Sequence, residues 1–298
     1  MNKSLRNIAL FSLVAVGGGW LGIWLNELAG NTQPPLQSLG ALVWLVSPAL
    51  AGLLLRALGG DGWKDAGFAP RFAAGWKGYL AALLVYPLLT LVGFGLSLAL
   101  GTIRADGFAA QGFGAYLSAA GLVFAGSLMK NIFEEFAWRG YLAPRLAAAG
   151  ARPLAGYAVT ALVWWAWHLP YYYYFLDRAD LRAATPYGVP VFLALGLLVL
   201  FPTAIFFGEI RRAGGSVWPA FLLHGVVNAV SMPLLLNGFI TSNNWGSLIL
   251  SPTNDSVLMA LLMGAAGIWM LRARTTSPTL LQPTRPFGHP KRVPKGGE

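Results

Sequence analysis

No cysteine occurs in the 298 residues. Disulfides, thiolate metal sites and a cysteine nucleophile are therefore excluded. Charge is scarce as well: 11% of the residues are charged, against about 25% in a soluble domain. Acidic residues number eleven and histidines three. No polar stretch between apolar runs is long enough for a soluble domain, and no serine stands in a Gly-x-Ser-x-Gly context.

What is abundant is apolar: 56% of the residues are hydrophobic and the mean hydropathy is +0.58. The expected fold class is an all-α membrane protein. At about 20 residues per span, eight segments qualify: Ile8–Ala29, Leu39–Leu58, Trp76–Gly101, Phe113–Ala143, Pro153–Tyr174, Val189–Arg211, Ser216–Gly238 and Val257–Arg272. The fourth is too long to cross without tilt or an interfacial turn. The first follows Lys3 and Arg6 and is longer than a cleavable signal's apolar stretch, so it reads as a retained helix. No internal repeat is evident.

The net charge of +10 could suggest nucleic acid, but the basic residues are placed as topology markers. With the N-terminus in the cytoplasm, 17 of the 21 Lys and Arg residues fall at cytoplasmic ends, and only Arg104, Arg178 and Arg182 fall outside. This bias fits eight helices with both termini inside. The bilayer is the expected partner, and nucleic acid is not. The loop Gly59–Gly75 reads as interfacial. The tyrosine run that opens the loop Tyr171–Pro190 reads as an outer aromatic belt. The tail Thr275–Glu298, rich in Pro, Gly and basic residues, reads as disordered and attracted to anionic headgroups.

Polar residues at bilayer depth are costly and mark function. Glu134 and Glu135 end the apolar run Phe113–Met129. Glu135 and Arg139 lie at i,i+4 and can pair. Glu134 is turned about 100° away and is free for other work. Its bland reading is a second partner of Arg139, or of Lys130 four residues earlier. His168 closes Trp164-Trp165-Ala166-Trp167-His168, and His224 and Asn228 share a helix face. Every histidine outside the tail therefore lies in a span, the third being His289. Interhelical hydrogen bonding is the bland reading of His168, His224 and Asn228. Glu209, beside Arg211 and Arg212, reads as interfacial and non-catalytic.

Helical rise brings Glu134, His168, His224 and Asn228 to overlapping depth, which suggests a polar cavity opening toward the cytoplasm. A carboxylate and a histidine can activate a water as general base and then acid. A second histidine and an amide can meet a developing oxyanion. Water, base and oxyanion donors make amide hydrolysis possible without a nucleophilic side chain. Glu134, His168 and His224 are also a His₂Glu set that suits zinc. The preferred reading requires no metal.

Three motifs carry a resemblance: Glu-Glu-x-x-x-Arg at Glu134–Arg139, aromatic-x-x-x-His at Trp164–His168, and His-x-x-x-Asn at His224–Asn228. The chain resembles the CPBP family of intramembrane proteases, also called CAAX protease and bacteriocin-processing or Abi proteins. The resemblance runs over about Phe113–Gly238, with Trp164 where Phe is usual. It implies an eight-helix bundle in which Glu134 and His168 activate water, His224 and Asn228 line the oxyanion site, and Glu135 and Arg139 support them. The organisation expected is helices one to three over 1–112, the protease-like core over 113–238, an outer loop and last helix over 239–274, and the tail over 275–298. The substrate class would be a peptide or membrane protein, and the location a bacterial inner membrane. A transporter or a non-enzymatic immunity or scaffold protein is the competing class. The residues leave the substrate and the oligomeric state open.

Overall fold

The computed structural model describes residues 2–177, 181, 188–243, 246 and 248–276. Part of the expected outer loop and the tail beyond Thr276, with His289, lie outside the described residues.

Eight long helices form the bundle, and their limits follow the apolar runs to within a few residues. They are α1 (Lys3–Leu28), α2 (Leu39–Ala57), α3 (Phe72–Ala99), α5 (Phe113–Ala137), α7 (Pro153–Pro170), α8 (Val189–Gly214), α9 (Trp218–Leu236) and α10 (Val257–Thr276). Among the described residues, the short helices α4 (Asp106–Gln111) and α6 (Ala143–Ala148) lie between them. Among the described residues, seven helices are long and apolar enough to cross a membrane. The eighth long helix, α7, falls short on hydropathy because three tryptophans and His168 sit in its 18 residues. The chain is an integral, multi-pass membrane protein. Strands are vestigial: β1 (Ile103–Arg104) pairs antiparallel with β2 (Thr241–Ser242).

The excess length of the fourth run has a structural answer. Phe113–Ala148 is one continuous rod of 36 residues, interrupted by a π-helical turn at Trp138–Leu142. A π turn widens a helix locally and is common at functional sites. A second one, Tyr171–Phe175, follows α7.

Small residues bring α1 and α2 together. A Cβ on Gly22 would lie 2.2 Å from the Gly40 carbonyl oxygen, so only glycine fits there. Beside this contact, Asn26 donates to the Ser38 hydroxyl at 2.7 Å and accepts from the Gly40 amide at 2.9 Å. These buried interhelical bonds replace the water that lipid cannot supply. A second lock joins α2 to α7. Trp44 and Trp167 stack with centroids 4.3 Å apart, and each indole N–H donates to the other's carbonyl.

The loop between α2 and α3 is tied to the bundle by arginines. Arg56 donates to the Gly140 carbonyl and pairs with Asp65 at 2.6 Å. Arg145 pairs with Asp61 and Asp65, and Tyr141 donates to Asp61. Arg211 donates to the carbonyls of Arg139 and Asp65. Three arginines thus clamp residues 61–65 onto the π turn. The π turn needs such partners, since its widened backbone leaves carbonyls such as Gly140's in want of donors. Glu209 is buried within the bundle. Tyr157 donates to it at 2.5 Å, and Arg274 ties α10 to it at 3.2 Å.

Candidate active site

Adjacent glutamates on α5 face different surroundings. Glu135 points into the packing and is fully buried. Its Oε1 accepts from Arg139 Nη1 at 3.1 Å and from His224 Nδ1 at 2.8 Å. Arg139 is equally buried. Its guanidinium carbon lies 4.4 Å from the centre of the Trp164 ring and 4.6 Å from that of Phe207. Glu134 instead lines a cavity of about 470 Å³. Its Oε1 pairs with Lys130, and its Oε2 accepts from the Trp164 indole at 2.8 Å. The i,i+4 pair of Glu135 with Arg139 is present, and so is the pairing of Glu134 with Lys130.

The cavity also receives His168, His224 and Asn228. The His168 Nδ1 lies 2.8 Å from the Trp164 carbonyl oxygen. A carbonyl can only accept, so Nδ1 carries the proton, and in the neutral ring Nε2 is left to accept. The His168 ring stacks on Tyr172 and meets Trp167 edge-on, which fixes its plane. His224 likewise gives its Nδ1–H to Glu135, so its Nε2 can donate only when the ring is an imidazolium. The Asn228 amide stands 3.3 Å from that of Asn131, a fully buried residue of α5.

Three helices therefore bring together all four residues singled out on them, while Glu135 and Arg139 stand behind the wall. Asn131 was not singled out, although an amide three residues before Glu134 in an apolar run was a signal in plain view. Trp164 carries more than an aromatic ring, because its N–H binds Glu134, a contact the usual Phe could not make.

One expectation is corrected. The cavity does not run toward the basic end of the bundle, where the arginine clamp packs. Its lining climbs from Glu134 and His224 past His168 to Tyr171, Tyr172, Asn254 and Asp255. That is the end opposite the arginine clamp.

Residues 116–230 match the model of a family described as type II CAAX prenyl endopeptidase Rce1-like. Over this segment the chain is similar to that family. No curated protein matches the chain. All three polar motifs lie within the matched segment, which agrees with the CPBP resemblance and supports a protease acting in a membrane.

Zinc would have to be held by these same cavity side chains. Both Glu134 oxygens are engaged, one by an ammonium that would repel a cation. Among the described residues no three His, Cys, Asp or Glu side chains are grouped to hold a metal ion. As placed, Glu134, His168 and His224 do not form a zinc site.

Proposed function

We propose that this protein is an intramembrane endopeptidase that hydrolyses a peptide or membrane-protein substrate with a water held between Glu134 and His168. The observation that carries this reading is the division of labour between the two glutamates. Glu135 is consumed in holding Arg139 and His224, whereas Glu134 lines the cavity with His168, His224 and Asn228.

The roles follow from which atoms can accept and which can donate. The water gives a proton to Glu134 or to the bare His168 Nε2 as its oxygen attacks the scissile carbonyl carbon. The oxyanion is met by the Asn228 amide and by His224 Nε2–H. His224 must then carry two ring protons, and the Glu135 carboxylate at Nδ1 balances that charge. Collapse of the intermediate breaks the C–N bond, and the proton held on Glu134 or His168 passes to the amine. Lys130 shares Glu134 until the water arrives. Aligned donors of this kind typically contribute 10²–10³ in rate each, and a positioned base about 10²–10⁴. The substrate reaches Glu134 from the end of the cavity at Tyr172 and Asp255. No metal is required in this mechanism, and a bacterial inner membrane is the proposed location, in keeping with the short connections between helices.

The test is hydrolysis of a peptide library by purified protein in detergent, with and without a zinc chelator. Wild-type cleavage that survives the chelator and is lost in His168→Gln supports the mechanism. Cleavage abolished by chelator and restored by zinc would overturn its metal-free form. The absence of any cleavage would shift the reading to a non-enzymatic membrane partner.

A further inference from the structure

The basic end of the bundle holds another cavity, of about 400 Å³, which shares no lining residue with the candidate active site. Lys64, Arg71, Arg211 and Arg212 line it, with Asp65 as its single carboxylate. That carboxylate is committed elsewhere, to Arg56 at 2.6 Å and Arg145 at 3.2 Å, neither of which lines the cavity. Arg212 leans on Glu209 at 3.8 Å, and Glu209 also serves Arg274. Arg211 reaches only carbonyl oxygens. Among the described residues no carboxylate pairs with Lys64 or Arg71. Lys64 and Arg71 thus face the cavity without a paired carboxylate, and Asp65 is the one carboxylate near Arg211.

The cradle is rigid. Ser216 donates to the carbonyls of Gly67 and Ala69, Trp218 donates to that of Phe68, and the Val217 amide donates to Gly67. Arg71 is the one described non-glycine residue with a positive φ, 53°. Such strain is kept where the surroundings enforce it, often at ligand clamps. It places Arg71 at the start of α3, which has no side-chain cap. On α3 itself, Phe72 and Trp76 are exposed beside it.

We propose that this cavity binds a phosphate group. Unpaired cations around a fixed loop supply the charge, and the exposed aromatic rings on α3 favour the headgroup of an anionic lipid as its source. The site and the active site share one structural link, because Arg211 also holds the Arg139 carbonyl.

The experiment uses the full-length protein in detergent, with binding read by native mass spectrometry and by thermal melt. The probes are short-chain phosphatidylglycerol, phosphatidylcholine of equal chain length, and inorganic phosphate. Phosphatidylglycerol is expected to bind the wild type in preference to phosphatidylcholine. Lys64→Gln/Arg71→Gln should weaken it by roughly thirty-fold, the usual worth of two cations at an anionic headgroup. Lys3→Gln/Arg152→Gln removes the same charge from exposed positions at the same end and should leave binding unchanged. Equal loss in both double variants, or no preference over phosphatidylcholine, would overturn the proposal. Inorganic phosphate binding that displaces the lipid and is lost in the first double variant alone would keep the phosphate site and overturn the lipid source. Unliganded melts of the two double variants guard against misfolding, and single Lys64→Gln, at an exposed position, is the fallback.

Discussion

Replacing Glu135 by Gln should destabilise the protein far more than the same change at Glu134. Arg139 is 1% exposed, one of its terminal nitrogens already lacks a partner, and the Trp164 and Phe207 rings pack against its guanidinium. Glu135 is the carboxylate directly paired with it. Removing that charge leaves a buried cation unmatched, which typically costs 3–5 kcal/mol. At about 2–4 °C per kcal/mol for a chain somewhat smaller than this one, the melt should fall by roughly 6–20 °C. Glu134 differs because its partner Lys130 has a side chain 40% exposed. Glu134→Gln leaves no fully buried cation unmatched and keeps an acceptor for the Trp164 indole N–H, so it should melt closer to wild type. The double variant Glu135→Gln/Arg139→Met should recover part of the loss, because removing both buried charges is much less costly than removing one. Thermal melts of the four proteins in one detergent form the cycle. A Glu135→Gln melt within two degrees of wild type, or strict additivity with Arg139→Met, would refute the reasoning.

Other outcomes are as specific. His168→Gln, which cannot return its Nε2 lone pair, should lower kcat/KM for a cleaved peptide by about 10²–10⁴ with little change in melt; an unchanged rate would remove His168 from the chemistry. Gly22→Ala drives a methyl into the Gly40 carbonyl and should lower the melt by several degrees, whereas Gly17→Ala, whose Cβ meets nothing within 4 Å, should not. Asp65 is subject to burial, which raises its pKa, yet Arg56 and Arg145 outweigh burial and hold its carboxyl below the ordinary range. Its contribution is therefore present above the unfolded value near 4 and lost as pH falls through the lower folded value. A pH series from 7 to 2.5 should show wild type losing stability below pH 4, with a shallower slope in Asp65→Asn.

The helices were legible because lipid imposes length: a run of about 20 apolar residues has few alternatives. The polar groups were legible because so few occur at depth. The Glu135–Arg139 pair was legible from its spacing; what could not be read is which cation Glu134 takes and that His224 joins Glu135. The sequence shows Lys130, Glu134, Glu135 and Arg139 on adjoining faces, but side-chain packing decides that Lys130 takes one glutamate while Arg139 and His224 take the other. The π turn at Trp138–Leu142 leaves no periodic trace, since it shifts the helix phase by a fraction of a turn. Arg56, Arg139, Arg145 and Arg211 look like topology markers by composition. In the fold they are also structural, each with named partners, and they fill the end toward which the cavity was expected to open.

The most direct measurement of the central claim is peptide cleavage by Glu134→Gln beside wild type, with products identified by mass spectrometry and folding checked by melt. The account expects wild type to cut an internal peptide bond and a fully folded Glu134→Gln to cut about 10²–10⁴ times more slowly. A folded Glu134→Gln that cleaves at the wild-type rate would contradict it.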